Sequence, residues 1–223
     1  MDDWIFRPAI RVPIVLLALT VHEFCHAWFA YRMGDPTAYR MGRCTLNPLK
    51  HLDPLGTICL LFAPIGWAKP VPVNPLNFHD YRKGELVTTA AGPLSNLAMA
   101  FVFALLLRGV YYLVLQGVGG GEHMARFHVV LIIFCYFGVL LNVGLAVFNC
   151  LPLYPLDGFH IASNLGRPEF RRWMEETRHY GPFLILGLVF ISRAGDVNIL
   201  GRLIEPPARF LLHYVAGGDP FAG

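Results

Sequence analysis

The stretch Val12–Arg32, VPIVLLALTVHEFCHAWFAYR, places two histidines and a glutamate in the middle of an otherwise apolar segment. His22 and His26 are four residues apart, so on a helix they project from one face and both imidazoles can reach one metal ion. Glu23 sits beside them. The pattern His-Glu-x-x-His is only fairly specific by itself, and its setting sharpens it. Ile14 to Val21 upstream and Ala27 to Tyr31 downstream are almost wholly apolar, as in a membrane span. An ionisable residue at the centre of a spanning helix costs about 2.5–3.5 kcal/mol on insertion scales, and three together cost several times that unless metal, partners or water offset it. The competing reading, a surface helix with two solvated histidines, leaves the apolar flanks unexplained. At ~1.5 Å per residue His22 lies roughly 15 Å from Val12, near mid-depth of a ~30 Å hydrocarbon layer.

Composition agrees with that setting. The 223 residues are 55% hydrophobic and 15% charged, and mean hydropathy is positive, so the chain is too apolar for an ordinary soluble domain and long enough for about four to six spans. The expectation is an all-α integral membrane protein, a polytopic helix bundle forming one domain over 1–223, with a core over 8–160 and a C-terminal helical region over 161–223. The net charge of +3 is spread along the chain and forms no basic stripe, which argues against nucleic acid as a partner. Five scattered cysteines with no CxxC pair support neither a disulfide framework nor a cysteine zinc site, and Cys25, between the histidines, reads as a packing residue. Met-Asp-Asp-Trp at the start lacks the basic n-region of a removable signal peptide, so the first helix is expected to serve as its own insertion signal.

The first span is expected over Pro13–Tyr31, ended by Gly34-Asp35-Pro36. From Gly34 to Gly84 prolines and basic residues alternate, a loop and edge-strand composition. Within it Leu55–Ala68 is apolar but short and broken by Pro64 and Gly66, and reads as a re-entrant or interfacial strand pair, with a short additional span as the alternative. The following KPVPVNP must be extended, because its prolines remove backbone donors and fix φ; it reads equally as a rigid connector or as a segment able to pair with a substrate backbone. Further spans are expected over Leu86–Leu107 and Phe127–Leu151. The first opens with AAGPLSN, whose small residues allow close packing and whose Asn96 needs a partner, either in an interhelical hydrogen bond or at the site. His128 reads as an interfacial histidine. After Phe127–Leu151 comes NCLPLYPLDG, where Pro152 and Pro155 break the helix and Asp157 is either the cap of a following helix or the anionic ligand that a two-histidine zinc site lacks. One further span or broken helix and an amphipathic tail are expected after Tyr180.

Taken together, HEFCH at 22–26, AGPLSN at 91–96 and NCLPLYPLDG at 149–158 resemble the site-2 proteases, the intramembrane zinc metalloproteases. GDPTAYRMGRCTLNPLKHLDPLG and GWAKPVPVNP are further similar to the minimal branch of that family, without PDZ or CBS domains. The resemblance implies one zinc ion per chain held by His22, His26 and Asp157, with Glu23 as general base. It implies Asn149 as a substrate-positioning or oxyanion group, and Asn96 is carried as a second such candidate. It also implies a transmembrane protein substrate cut within or near its spanning helix, in regulated intramembrane proteolysis. Lys and Arg are richer in 34–84 and 159–179 than elsewhere, which places those loops, and the opening of the site, on the cytoplasmic side of a prokaryotic cell membrane. Two other functions compete: a metal-binding pseudoprotease, for which Glu23 is superfluous, and a transporter using the buried His, Glu and Asp, for which no inverted repeat is evident. Composition is silent on the oligomer.

Overall fold

The computed structural model describes residues 8–56, 67–117, 121–194 and 199–217. Helix α1 is Pro8–Arg32, a longer run than the expected span because Pro8 can open a helix where its missing N–H has no partner. Helix α2, Tyr81–Leu115, starts at Asp80, whose side chain accepts the N–H of Lys83 at 3.0 Å. Its 35 residues make a rod of about 52 Å, so its first turns, with Arg82, Lys83 and Glu85, project beyond a ~30 Å apolar layer. Helix α3, Glu122–Asn149, ends just before Pro152 can disrupt it. These three are the helices long and apolar enough to cross a membrane among the described residues.

Within the described residues they account for three of the four to six spans that composition suggests. The 14-residue helix Gly181–Ala194 (α6) is apolar but short of the ~20 residues a perpendicular span needs. The expected strand pair at Leu55–Ala68 falls largely on 57–66, outside the described residues. At its edges Leu52 and Ala68 form one antiparallel bridge, the extended element that the described residues retain. Two short helices, Asp157–Leu165 (α4) and Pro168–Thr177 (α5), precede α6, and Ile199–Phe210 (α7) follows it and continues into a wide turn over Leu211–Ala216.

The core lies between α2, α3 and the C-terminal segment: Ala100, Phe103, Ala104 and Leu107 pack on Cys135, Val139 and Val143, with Ala208, Leu212 and Ala216 closing the cluster. Alanines at this contact let the backbones approach closely, where association in lipid depends on packing. The outward faces are also apolar, with Leu97, Phe101, Leu105 and Leu106 on α2 and Val129 and Val130 on α3 exposed. Such a surface is unfavourable in water and natural against lipid.

The connection from α1 to α2 is tied at both ends. Asp35 is fully buried and accepts hydrogen bonds from the N–H and hydroxyl of Thr37, the N–H of Asn74 (2.7 Å) and the side-chain amide of Asn77 (2.8 Å). At the other end Arg43 donates to the Lys69 carbonyl, while the Lys69 N–H donates to the His51 carbonyl at 2.8 Å. Burial alone pushes the Asp35 carboxyl up, but the bonds from Asn77, Thr37 and Asn74 outweigh it and hold the group below its ordinary value. Its folded-state pKa is therefore lower than the unfolded one, so its stabilisation is complete above the unfolded value of about 3.9 and is lost as pH falls through the folded value. Thermal unfolding in detergent should show wild type more stable than Asp35→Asn by a constant margin from pH 7 to about 5, shrinking below about 4. A margin independent of pH would show that the carboxylate is not the anchor.

Candidate metal centre

The two histidines project from one face of α1, and α2 presses on them. At Gly92 a Cβ would lie 2.4 Å from His26 Nε2 and 2.6 Å from His22 Cε1, so the α2 backbone can sit there only as glycine. Next to it Pro93 removes the ladder hydrogen bond to the carbonyl of Thr89, loosening the turn that faces the histidines. From this turn the Thr88 carbonyl accepts a hydrogen bond from His26 Nδ1 at 2.8 Å. One turn further on, Asn96 Oδ1 accepts from His22 Nδ1 at 2.7 Å. Both acceptors lack a proton of their own in these bonds, so both rings carry hydrogen on Nδ1, which leaves the Nε2 lone pairs as the ones each ring can offer to a cation.

Those lone pairs converge. The two Nε2 atoms are 3.0 Å apart and each is 3.3 Å from Asp157 Oδ2, an oxygen buried without a hydrogen-bond partner. The ligand atoms of the three residues lie within 4.8 Å of one another, the one such cluster among the described residues. Two lone pairs and a carboxylate oxygen aimed at one point repel unless a cation lies between them, which is the test that this donor set passes for zinc. His128, at the other end of its helix, takes no part in the cluster.

Asp157 reaches this point because α3 stops and the chain doubles back. Leu153 N–H bonds to the Leu151 carbonyl and Leu156 N–H to the Leu153 carbonyl, both at 2.8 Å, and α4 begins at Asp157 itself. The alternative role as a cap is not taken: Leu156 occupies the cap position and no side chain caps the helix. At Gly158 a Cβ would fall 2.3 Å from the carbonyl oxygens of Cys150 and Leu151, so glycine lets α4 start directly against the end of α3.

Asn96 does not take the substrate-facing place that its sequence position allowed. Its side chain is fully buried behind His22, with its amide donating to Asn142 Oδ1 at 3.1 Å and to the Ala18 carbonyl at 3.4 Å. Asn142 in turn donates to the Gly138 carbonyl at 2.9 Å. Asn96 therefore links α1, α2 and α3 and orients a ligand, and has no polar atom left to meet a substrate. Asn142 escapes the sequence reading, although a polar residue in the middle of an apolar span is itself a signal.

In front of the ligands lies a cavity of about 480 Å³, walled by Glu23, Asn149, the stretch Pro155–Asp157, and Trp67 to Val73 of the extended connection. Asn149 spends one amide hydrogen on the Leu145 carbonyl at 3.0 Å, which leaves the second for the cavity. Glu23 Oε2 accepts the N–H of Val71 at 3.1 Å. The cavity extends to Glu85 and to His160, whose side chain is 40% exposed, so it opens at the molecular surface there. Glu85 is held by Arg171 at 3.1 Å and Asn164 at 3.0 Å, which ties the start of α2 to α4 and α5. Neither Glu85 nor His160 stands out in the sequence, because each is an isolated polar residue near a helix start, outside any motif.

No protein-family model and no solved structure matches the chain. Among curated proteins it is similar to YwhC of Bacillus subtilis (strain 168), named as a candidate zinc metalloprotease, with 41% identity over 200 residues covering 88% of each chain. It is also similar to Rip2 of Mycolicibacterium smegmatis, which bears the same description, with 31% identity over 183 residues, 80% of this chain and 65% of the relative. Rip2 of Mycobacterium tuberculosis (strain H37Rv) is 29% identical over 178 residues, 78% of this chain and 63% of that one. With 41% identity to YwhC over 88% of both chains, the chain belongs to the site-2 protease family of zinc metalloproteases.

Proposed function

We propose that this chain is an intramembrane endopeptidase that hydrolyses peptide bonds within or near the spanning helices of membrane-protein substrates. The observation that carries the reading is the convergence of His22 Nε2, His26 Nε2 and Asp157 Oδ2 on a cavity that also holds Glu23, inside a bundle whose outer faces are apolar. His22, His26 and Asp157 would hold the zinc, and the chemistry it supplies is Lewis acidity toward water and a carbonyl oxygen. Glu23 faces the same cavity with Oε2 held by the Val71 N–H, placed to take a proton from water and return it to the leaving amine. The second amide hydrogen of Asn149 is available to a developing oxyanion. A substrate helix hides its carbonyls in its own hydrogen bonds, so helix-breaking residues near the cut should favour cleavage.

The cavity is read as opening to the cytoplasm. Support comes from charge: Arg40, Arg43, Lys50, Lys69, Arg82, Lys83, Arg167, Arg171, Arg172 and Arg178 all lie in the loops 34–84 and 159–179. The Asn164 side-chain amide donates to the Arg82 carbonyl at 3.1 Å, which joins those two regions at one end of the bundle.

The deciding experiment is cleavage of a panel of single-span reporter proteins in liposomes by wild type and Glu23→Gln, with zinc measured on both. The expected result is equal zinc and a loss of rate of about 10²–10⁴-fold in the variant, the usual contribution of a general base. Zinc in both with cleavage by neither would favour the binding-protein reading, and no zinc in either would favour the transporter.

A further inference from the structure

We infer that the extended segment Lys69–Asn74, closed by the 3-10 turn Pro75–Asn77, is a strap that positions Glu23 through the backbone amide of Val71. The inference rests on the reading of Glu23 as the general base. A glutamate has three rotatable side-chain bonds, and a base must sit within about 2.6–3.2 Å of the proton it takes. On α1 Glu23 lines the cavity in front of the ligands, and the Val71 N–H at 3.1 Å from Oε2 is the contact that fixes the direction of its carboxylate.

The strap is built so that this donor is where it is needed. Pro70 and Pro72 carry no N–H and hold their neighbours extended, so Val71 supplies the amide between them and cannot curl it into a turn. The segment is held at its start, where Arg43 grips the Lys69 carbonyl and the His51 carbonyl takes the Lys69 N–H. It is held at its end, where the buried Asp35 takes the Asn74 N–H and the Asn77 amide. A segment fastened on both sides of Val71 keeps the amide in place as a rigid element would. A cover that must leave before substrate enters would be fastened at one end and free at the other. Val71 is thus a positioning residue, acting through its backbone.

The test is Val71→Pro, which removes the N–H inside a run already extended by its flanking prolines, compared with Val71→Ala, which keeps the N–H and trims the side chain. Steady-state kinetics on a cleaved reporter and zinc content are measured for both, alongside wild type and Glu23→Gln. For Val71→Pro the expected result is unchanged zinc, unchanged KM and a kcat lower by about ten- to a hundredfold, the scale of a misplaced catalytic group. Val71→Ala should have a kcat at least about tenfold above that of Val71→Pro. Equal kcat in the two variants would overturn the inference, and a kcat of Val71→Pro above wild type would do so in favour of an inhibitory cover. Should Val71→Pro fail to fold, Asp35→Asn, which loosens the far anchor, decides the matter: a lower kcat at unchanged KM and zinc is expected, and an unchanged kcat overturns the strap. Activity retained by Glu23→Gln would instead sink the base itself, independently of either Val71 variant.

Discussion

Asp157→Ala is expected to leave the protein folded, stripped of zinc and inactive. The two imidazoles that remain would bind zinc as neutral ligands, and Asp157 Oδ2 is the one anionic oxygen of the ligand set. Losing an outer partner of a ligand typically lowers metal affinity 10–100-fold, and losing the ligand should exceed the upper end of that range. Asp157→Asn, which keeps the shape and removes the charge, should behave in the same way. Zinc stoichiometry of the purified variants, read with reporter cleavage, checks this. Full occupancy in Asp157→Ala would mean that the ligand set is wrong.

The second large effect is expected at a residue with no side chain. Gly92→Ala puts a methyl group 2.4 Å from His26 Nε2 and 2.6 Å from His22 Cε1. The rings cannot swing aside freely, because Asn96 and Thr88 hold their Nδ1 atoms from behind. Either α2 moves away or the rings give up the geometry that aims Nε2, and overpacking of this kind costs about 1–3 kcal/mol in a packed interior. We therefore expect Gly92→Ala to lose zinc and activity with a modest fall in Tm. Gly109→Ala is the control on the same helix, since nothing lies within 4 Å of its Cβ position, and it should keep both. Wild-type zinc affinity in Gly92→Ala would show that α1 and α2 separate at little cost.

The apolar spans and the His-Glu-x-x-His helix are legible in the sequence because both are local patterns. Hydropathy over some twenty residues and a spacing of four belong to one helix, whatever packs on it. The motif around Asp157 is legible only in part: the prolines announce a broken helix, but whether the carboxylate caps the next helix or faces the histidines depends on how the chain doubles back at Gly158. Asn96 is visible as a polar residue in a span, and its place behind His22 is not.

Local sequence determined the elements of this protein, their membrane setting and the side chains able to hold a metal. Tertiary structure alone decided what aims them, because the contacts that do so join residues far apart in the chain. Val71 meets Glu23 across 48 positions, Thr88 meets His26 across 62, and Asn96 meets His22 across 74. Two of those three contacts use backbone groups, which every residue carries and no side-chain pattern reveals. Which backbone group meets which ring follows from helix packing, and at the histidines Gly92 is the position that lets α2 approach.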